Sequence, residues 1–93
     1  MIVRVQGYLT FRARIGKRRV KLEPGARLRG LLEQLAQEGG EALAAALFAA
    51  DGRPLRGISV LVNGRHYTQS EMGLDAPLHD GDEVAVFPPV AGG

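Results

Sequence analysis

The apolar and polar positions of this chain change period along its length, and each change marks an element. Ile2 to Leu9 is rich in β-branched residues and predicts a first strand, with Gly7 marking a bulge or turn. A loop through Gly16 leads to a second strand over residues 18–23, where Val20 and Leu22 alternate with Arg19, Lys21 and Glu23. Two strands joined so closely predict an antiparallel hairpin. Pro24-Gly25 closes it, and the period then lengthens. Leu28, Leu31, Leu32 and Leu35 form the stripe of an amphipathic helix, with Arg27, Arg29, Glu33, Gln34, Gln37 and Glu38 on its other side. Gly39-Gly40 ends that helix, while Ala26 stands where a capping side chain is expected at its start.

Alanine-rich residues 41–50, with Leu43, Ala46 and Leu47 on one side, predict a second, shorter helix packed on the sheet. Asp51-Gly52-Arg53-Pro54 is a turn cluster. Ile58, Val60 and Val62 then alternate with Ser59 and Leu61, and Asn63-Gly64 is the strongest hairpin signal in the chain. Arg65 to Thr68 is the expected return strand, and residues 69–78 read as irregular, with room for one helical turn. Asp80-Gly81 turns into a last strand, Glu83 to Phe87, which Pro88-Pro89 stops because proline donates no ladder hydrogen bond. Strand, strand, helix, short helix, strand, short strand, strand is the order of an α+β, ubiquitin-like β-grasp fold. It has a mixed sheet of four to five strands, a domain over residues 1–87 and an extended tail over 88–93.

A chain of 93 residues forms one domain, with one modest core built without crosslinks. The absence of cysteine excludes disulfides, thiolate metal sites and a cysteine nucleophile on this chain. No apolar run reaches the ~20 residues of a membrane helix, and the N-terminus reads as a strand rather than an export leader, so the expected compartment is the cytoplasm, with no membrane partner. Residues 1–30 hold nine of the twelve Lys and Arg residues against one acid, Glu23, whereas residues 31–93 hold three against nine acids. The basic hairpin, with Arg12, Arg14, Lys17, Arg18, Arg19 and Lys21, is read first as a solvated face. A small RNA-binding module is the rival from another class. Aromatic residues are only 5% of the chain and form no base-stacking run, which disfavours nucleic acid.

Catalytic chemistry is thin within the chain. His66 and His79 have no metal-ligand spacing, so no metal site is expected. Asp75, Asp80, Asp82 and Glu83 are assigned chiefly to turns. No phosphate-cradling glycine loop is present. The tail offers something else. Pro88, Pro89, Val90, Ala91, Gly92 and Gly93 reach at most ~20 Å past the last strand with almost no side-chain bulk at their end, the shape of a segment that enters a partner's channel. A carboxylate is inert until its oxygen becomes a leaving group. Joined to AMP, the Gly93 carbonyl would be open to a sulfur or nitrogen nucleophile.

The run Leu78-His79-Asp80-Gly81-Asp82-Glu83-Val84-Ala85-Val86-Phe87-Pro88-Pro89-Val90-Ala91-Gly92-Gly93 resembles the C-terminal signature of the MoaD family, within the ThiS/MoaD ubiquitin-like sulfur carriers. Val60-Leu61-Val62-Asn63-Gly64 and the leucine helix also sit where that family has them. The resemblance implies a carrier that is not catalytic alone and forms the small subunit of molybdopterin synthase. Its Gly93 carboxylate would be adenylated by an activating enzyme that supplies the ATP, and this chain would bind no cofactor itself. A sulfurtransferase system would convert the adenylate to a thiocarboxylate, and the large synthase subunit would pass that sulfur to a pterin precursor. The resemblance further implies partner docking at Phe87 and at Tyr8. The length of residues 41–57 and the richness of the basic hairpin depart from the shortest members. They leave open related carriers for cysteine, thiamine or tRNA thiolation, a protein modifier, and molybdenum or tungsten as the final metal.

Overall fold

The computed structural model describes residues 1–89. The Val90 to Gly93 part of the expected tail lies outside the described residues. Five strands form one mixed sheet in the order β2-β1-β5-β3-β4. β1 (Ile2–Gly7) and β2 (Lys17–Lys21) make the antiparallel hairpin, with Val3 opposite Val20 and Gln6 opposite Lys17. β5 (Glu83–Phe87) runs parallel to β1 on one side and antiparallel to β3 (Ser59–Val62) on the other. The last-made strand is therefore the central one. β4 (Arg65–His66) closes the far edge and is only two residues long, while the other edge, β2, carries exposed Lys17, Arg19 and Lys21. A short strand and a charged one both discourage edge-to-edge association.

One face of the sheet is covered. Val3, Val5, Val20, Val60, Val84 and Val86 point to that side and pack with Leu28, Leu31, Leu32, Leu35 and Ala36 of α2 (Leu28–Gly39). The helix start, which lacks a capping side chain at Arg27, is satisfied through tertiary structure: the Leu28 N–H donates to the Ala76 carbonyl at 3.0 Å. α3 (Glu41–Leu47) adds Leu43 and Leu47 to the core and stops three residues short of the expected end. Phe48 turns extended and bridges Pro54, so the chain folds back around Asp51-Gly52.

Two connections differ from the sequence reading. β1 ends at Gly7, and residues 11–14 form a helical turn, α1 (Phe11–Arg14), where a loop is expected. Phe11 and Ile15 of this region are buried. Gly7 ends β1 at the entry to this turn, as expected, and makes no bulge; it is also a point of close approach. A Cβ there would collide with the Phe11 carbonyl oxygen and lie 2.8 Å from the Ile15 Cβ. Residues 69–78 hold parts of two 3₁₀ turns, Tyr67–Gln69 and Gly73–Asp75, the first of which takes Tyr67 and Thr68 from the expected return strand. The Asn63-Gly64 hairpin forms as its residue types require, with φ of 52° and 82°.

Candidate functional site

The covered face of the sheet makes the core, so the opposite face decides what the molecule presents. Alternation along β1, β5 and β3 puts Arg4, Gln6, Glu83, Ala85, Phe87, Ser59 and Leu61 on that open face. Pairing aligns Gln6 with Ala85, Ala85 with Leu61, and Phe87 with Ser59. Leu61 is an apolar side chain in the outward phase of its strand, where a wet sheet face calls for a polar one. With Ala85, Phe87 and Tyr8 it makes a half-buried apolar strip.

Tyr8 and Phe87 come from opposite ends of the chain and meet because β1 and β5 are parallel neighbours. The Tyr8 N–H donates to the Val86 carbonyl at 2.9 Å, and the two rings stack with centroids 4.4 Å apart and planes 8° apart. Both rings are half-buried. Beside them, Arg4, Gln6, Tyr8, Lys17, Glu83 and Ala85 line a shallow depression of about 330 Å³. Two of these lining residues, Arg4 and Glu83, form an ion pair at 2.8 Å, with side chains 59% and 62% exposed. At that exposure the pair contributes little to stability. Lys17, Arg19 and Lys21 have no carboxylate within ion-pair distance among the described residues, so the rim of the face beside β2 is positive.

Phe87 is also the last strand residue before Pro88, which is half-buried, and exposed Pro89. The four remaining tail positions singled out from the sequence, Val90, Ala91, Gly92 and Gly93, lie outside the described residues. Lys17 was named from the sequence only as part of the basic hairpin, and Gln6, Ser59, Leu61 and Ala85 were not named as site residues. Their signal was positional: each is the outward member of an alternating run, but which outward rows adjoin is set by strand order.

The acidic turn residues serve the architecture. Asp80 Oδ1 accepts the Ile2 N–H at 2.7 Å, and Asp82 Oδ2 accepts the His79 N–H at 2.8 Å. Asp82 Oδ1 also accepts from the Asn63 side-chain amide at 2.9 Å, and Asn63 Oδ1 takes the Glu83 N–H at 2.9 Å. These bonds hold the hairpin turn against the start of β5, at the opposite end of that strand from Phe87. Among the described residues, no three His, Asp or Glu side chains stand close enough together to share a metal ion. No helix among them is long and apolar enough to cross a membrane.

A parallel β1–β5 core pair, a helix across one face and an open face ending in an aromatic pair define a ubiquitin-like β-grasp protein. The ThiS family model matches residues 8–93, and the chain belongs to that family of ubiquitin-like sulfur carriers and protein modifiers. It is 35% identical over 95 residues to small archaeal modifier protein 3 of Haloferax volcanii, an alignment covering 100% of each chain. The crystal structure of SAMP1 from the same organism superposes with a TM-score of 0.82 at 28% identity, again over 100% of both chains. A Pyrococcus furiosus protein assigned as molybdopterin converting factor subunit 1 matches with a TM-score of 0.73 and 30% identity, over 96% of this chain and 98% of that one.

Proposed function

We propose that this chain is a sulfur carrier whose reacting group is the Gly93 carboxylate. A partner enzyme transfers AMP from ATP to that carboxylate with release of pyrophosphate. The outer sulfur of a persulfide on a sulfurtransferase then displaces AMP to give an acyl disulfide. A second thiol cleaves its S–S bond, forming a disulfide with the sulfurtransferase cysteine and releasing the Gly93 thiocarboxylate. The large subunit of molybdopterin synthase takes the tail, and the terminal sulfur is donated to the pterin precursor. We assign the reaction to the cytoplasm, one of the compartments that supply ATP. The observation that carries this reading is the run from Asp80 to Gly93, which lies within the family match over residues 8–93. The central strand β5 leads directly from it into the tail, and the Tyr8–Phe87 pair sits at the point of departure. In this arrangement the open face docks on the activating enzyme while the tail reaches its nucleotide.

The test is intact-mass analysis after incubation with ATP, an activating enzyme of this class and a sulfur source. The expected product is the full chain with one oxygen replaced by sulfur, mapped to Gly93. A chain that consumes no ATP and takes up no sulfur with such enzymes would sink the reading.

A second reading is favoured by the 35% identity to small archaeal modifier protein 3. The same adenylate, attacked by a lysine amine instead of a sulfur nucleophile, gives an isopeptide bond and releases AMP. Recovery of the chain joined through Gly93 to lysines of other proteins would support this reading. A stable complex with a synthase large subunit would support the pterin pathway.

A further inference from the structure

The tail does not leave the sheet unsupported. β5 is paired to β3 as far as Phe87 opposite Ser59, and Pro89 continues alongside the segment that leads into β3. There it meets Gly57. A Cβ built on Gly57 would lie 3.1 Å from the Pro89 Cβ, 3.6 Å from its Cγ and 3.8 Å from its Cα. Gly57 has a φ of +88°, in a turn closed by the Ile58 N–H donating to the Leu55 carbonyl at 3.1 Å. The turn alone accounts for a glycine at this φ. It does not account for Pro89 lying against it. Gly25, at φ +87°, has open space where its Cβ would stand, as do most left-handed glycines in this chain.

We propose that Gly57 is a positioning residue: its bare Cα is the seat for the Pro89 ring and fixes where the chain leaves the sheet at Pro89. This inference rests on the reading that Gly93 is the reacting end. Proline holds its own φ near −65°, so a ring on a fixed seat passes a defined heading to the next residue. Four further residues span at most ~14 Å, so how far the terminus can reach depends on where Pro89 sets them off. Nucleophile and carbonyl must come within about 3.5 Å of each other to react. A side chain at position 57 would therefore act on the reaction without touching a reacting atom.

The experiment compares full-length wild type, Gly57→Ala, Pro89→Gly, the double variant carrying both changes and Gly25→Ala. The last is a control that introduces a similar left-handed strain with no neighbour. Two readouts are taken. One is the nuclear Overhauser contact between Gly57 Hα and the Pro89 ring protons, which does not depend on the proposed function. The other is kcat and KM for pyrophosphate release with ATP and the activating enzyme. The contact is expected in wild type and lost in Gly57→Ala. Gly57→Ala should lower kcat about tenfold or more while KM for the chain stays within about twofold, since the docking face is untouched. Pro89→Gly should lower kcat by itself, and the double variant should differ from it by less than about twofold. Gly25→Ala should match wild type in both constants. Absence of the contact in wild type, a wild-type kcat in Gly57→Ala, or an equal loss in Gly25→Ala would each overturn the proposal. A full further loss in the double variant relative to Pro89→Gly would do the same. A wild-type chain that is never activated would sink the Gly93 reading and the positioning role with it, while the Overhauser contact would still report whether the seat exists.

Discussion

Phe87 is paired on its strand to Ser59, stacked on Tyr8 and followed by the tail prolines. The stacked pair contributes about 0.5–1.5 kcal/mol beyond the area it buries, and its outer surface remains open. Replacing Phe87 by Arg removes that stacking and puts a charge where the ring packed on Tyr8. The expected result is a small fall in melting temperature and at least a tenfold weaker complex with the activating enzyme, read by thermal melt and by titration calorimetry. Unchanged affinity would remove Phe87 from the docking surface. The sequence singled out Phe87 and Tyr8 through a family resemblance. It could not show that they touch, because contact between the two ends of the chain follows from β1 and β5 being parallel neighbours.

At the scale of elements, α1 is the piece that pattern reading missed. Four residues are too few for a helical period to register, and Arg12 and Arg14 made the segment look like a solvated loop. Yet Phe11 is 1% exposed, one of the largest fully buried side chains. Phe11→Ala should cost about 3–5 kcal/mol in urea unfolding, whereas Arg12→Ala on the same turn should stay within about 0.5 kcal/mol. A loss under about 1 kcal/mol for Phe11→Ala would mean that this turn is not part of the core. The leucine stripe of α2 was legible because it has a long, regular repeat. Its start was not, because the donor there is satisfied by the distant Ala76 carbonyl rather than by a local cap.

For the whole molecule, the buried apolar cluster begins at Val3 and ends at Val86 among the described residues. The proposed reacting end lies beyond it. Deleting Gly92-Gly93 should therefore leave the unfolding free energy within about 0.5 kcal/mol of wild type and abolish sulfur loading. A marked drop in melting temperature on deletion would show that the terminus helps hold the fold. The net charge of +2 conceals a basic edge at β2, where Lys17, Arg19 and Lys21 stand exposed.

Periodicity and turn chemistry alone determined most element types, their order and the core face of each, because those depend on neighbours within a few residues. The identities of Gly92 and Gly93, on which the proposed chemistry depends, are likewise read from the sequence. Strand order, the helical turn under Gly7, the Tyr8–Phe87 stack and the meeting of Gly57 with Pro89 were decided only by the tertiary structure. The helical turn forms because Phe11 and Ile15 have a core to enter. The other three are contacts between segments far apart in the chain, and they arise because β5 inserts between β1 and β3.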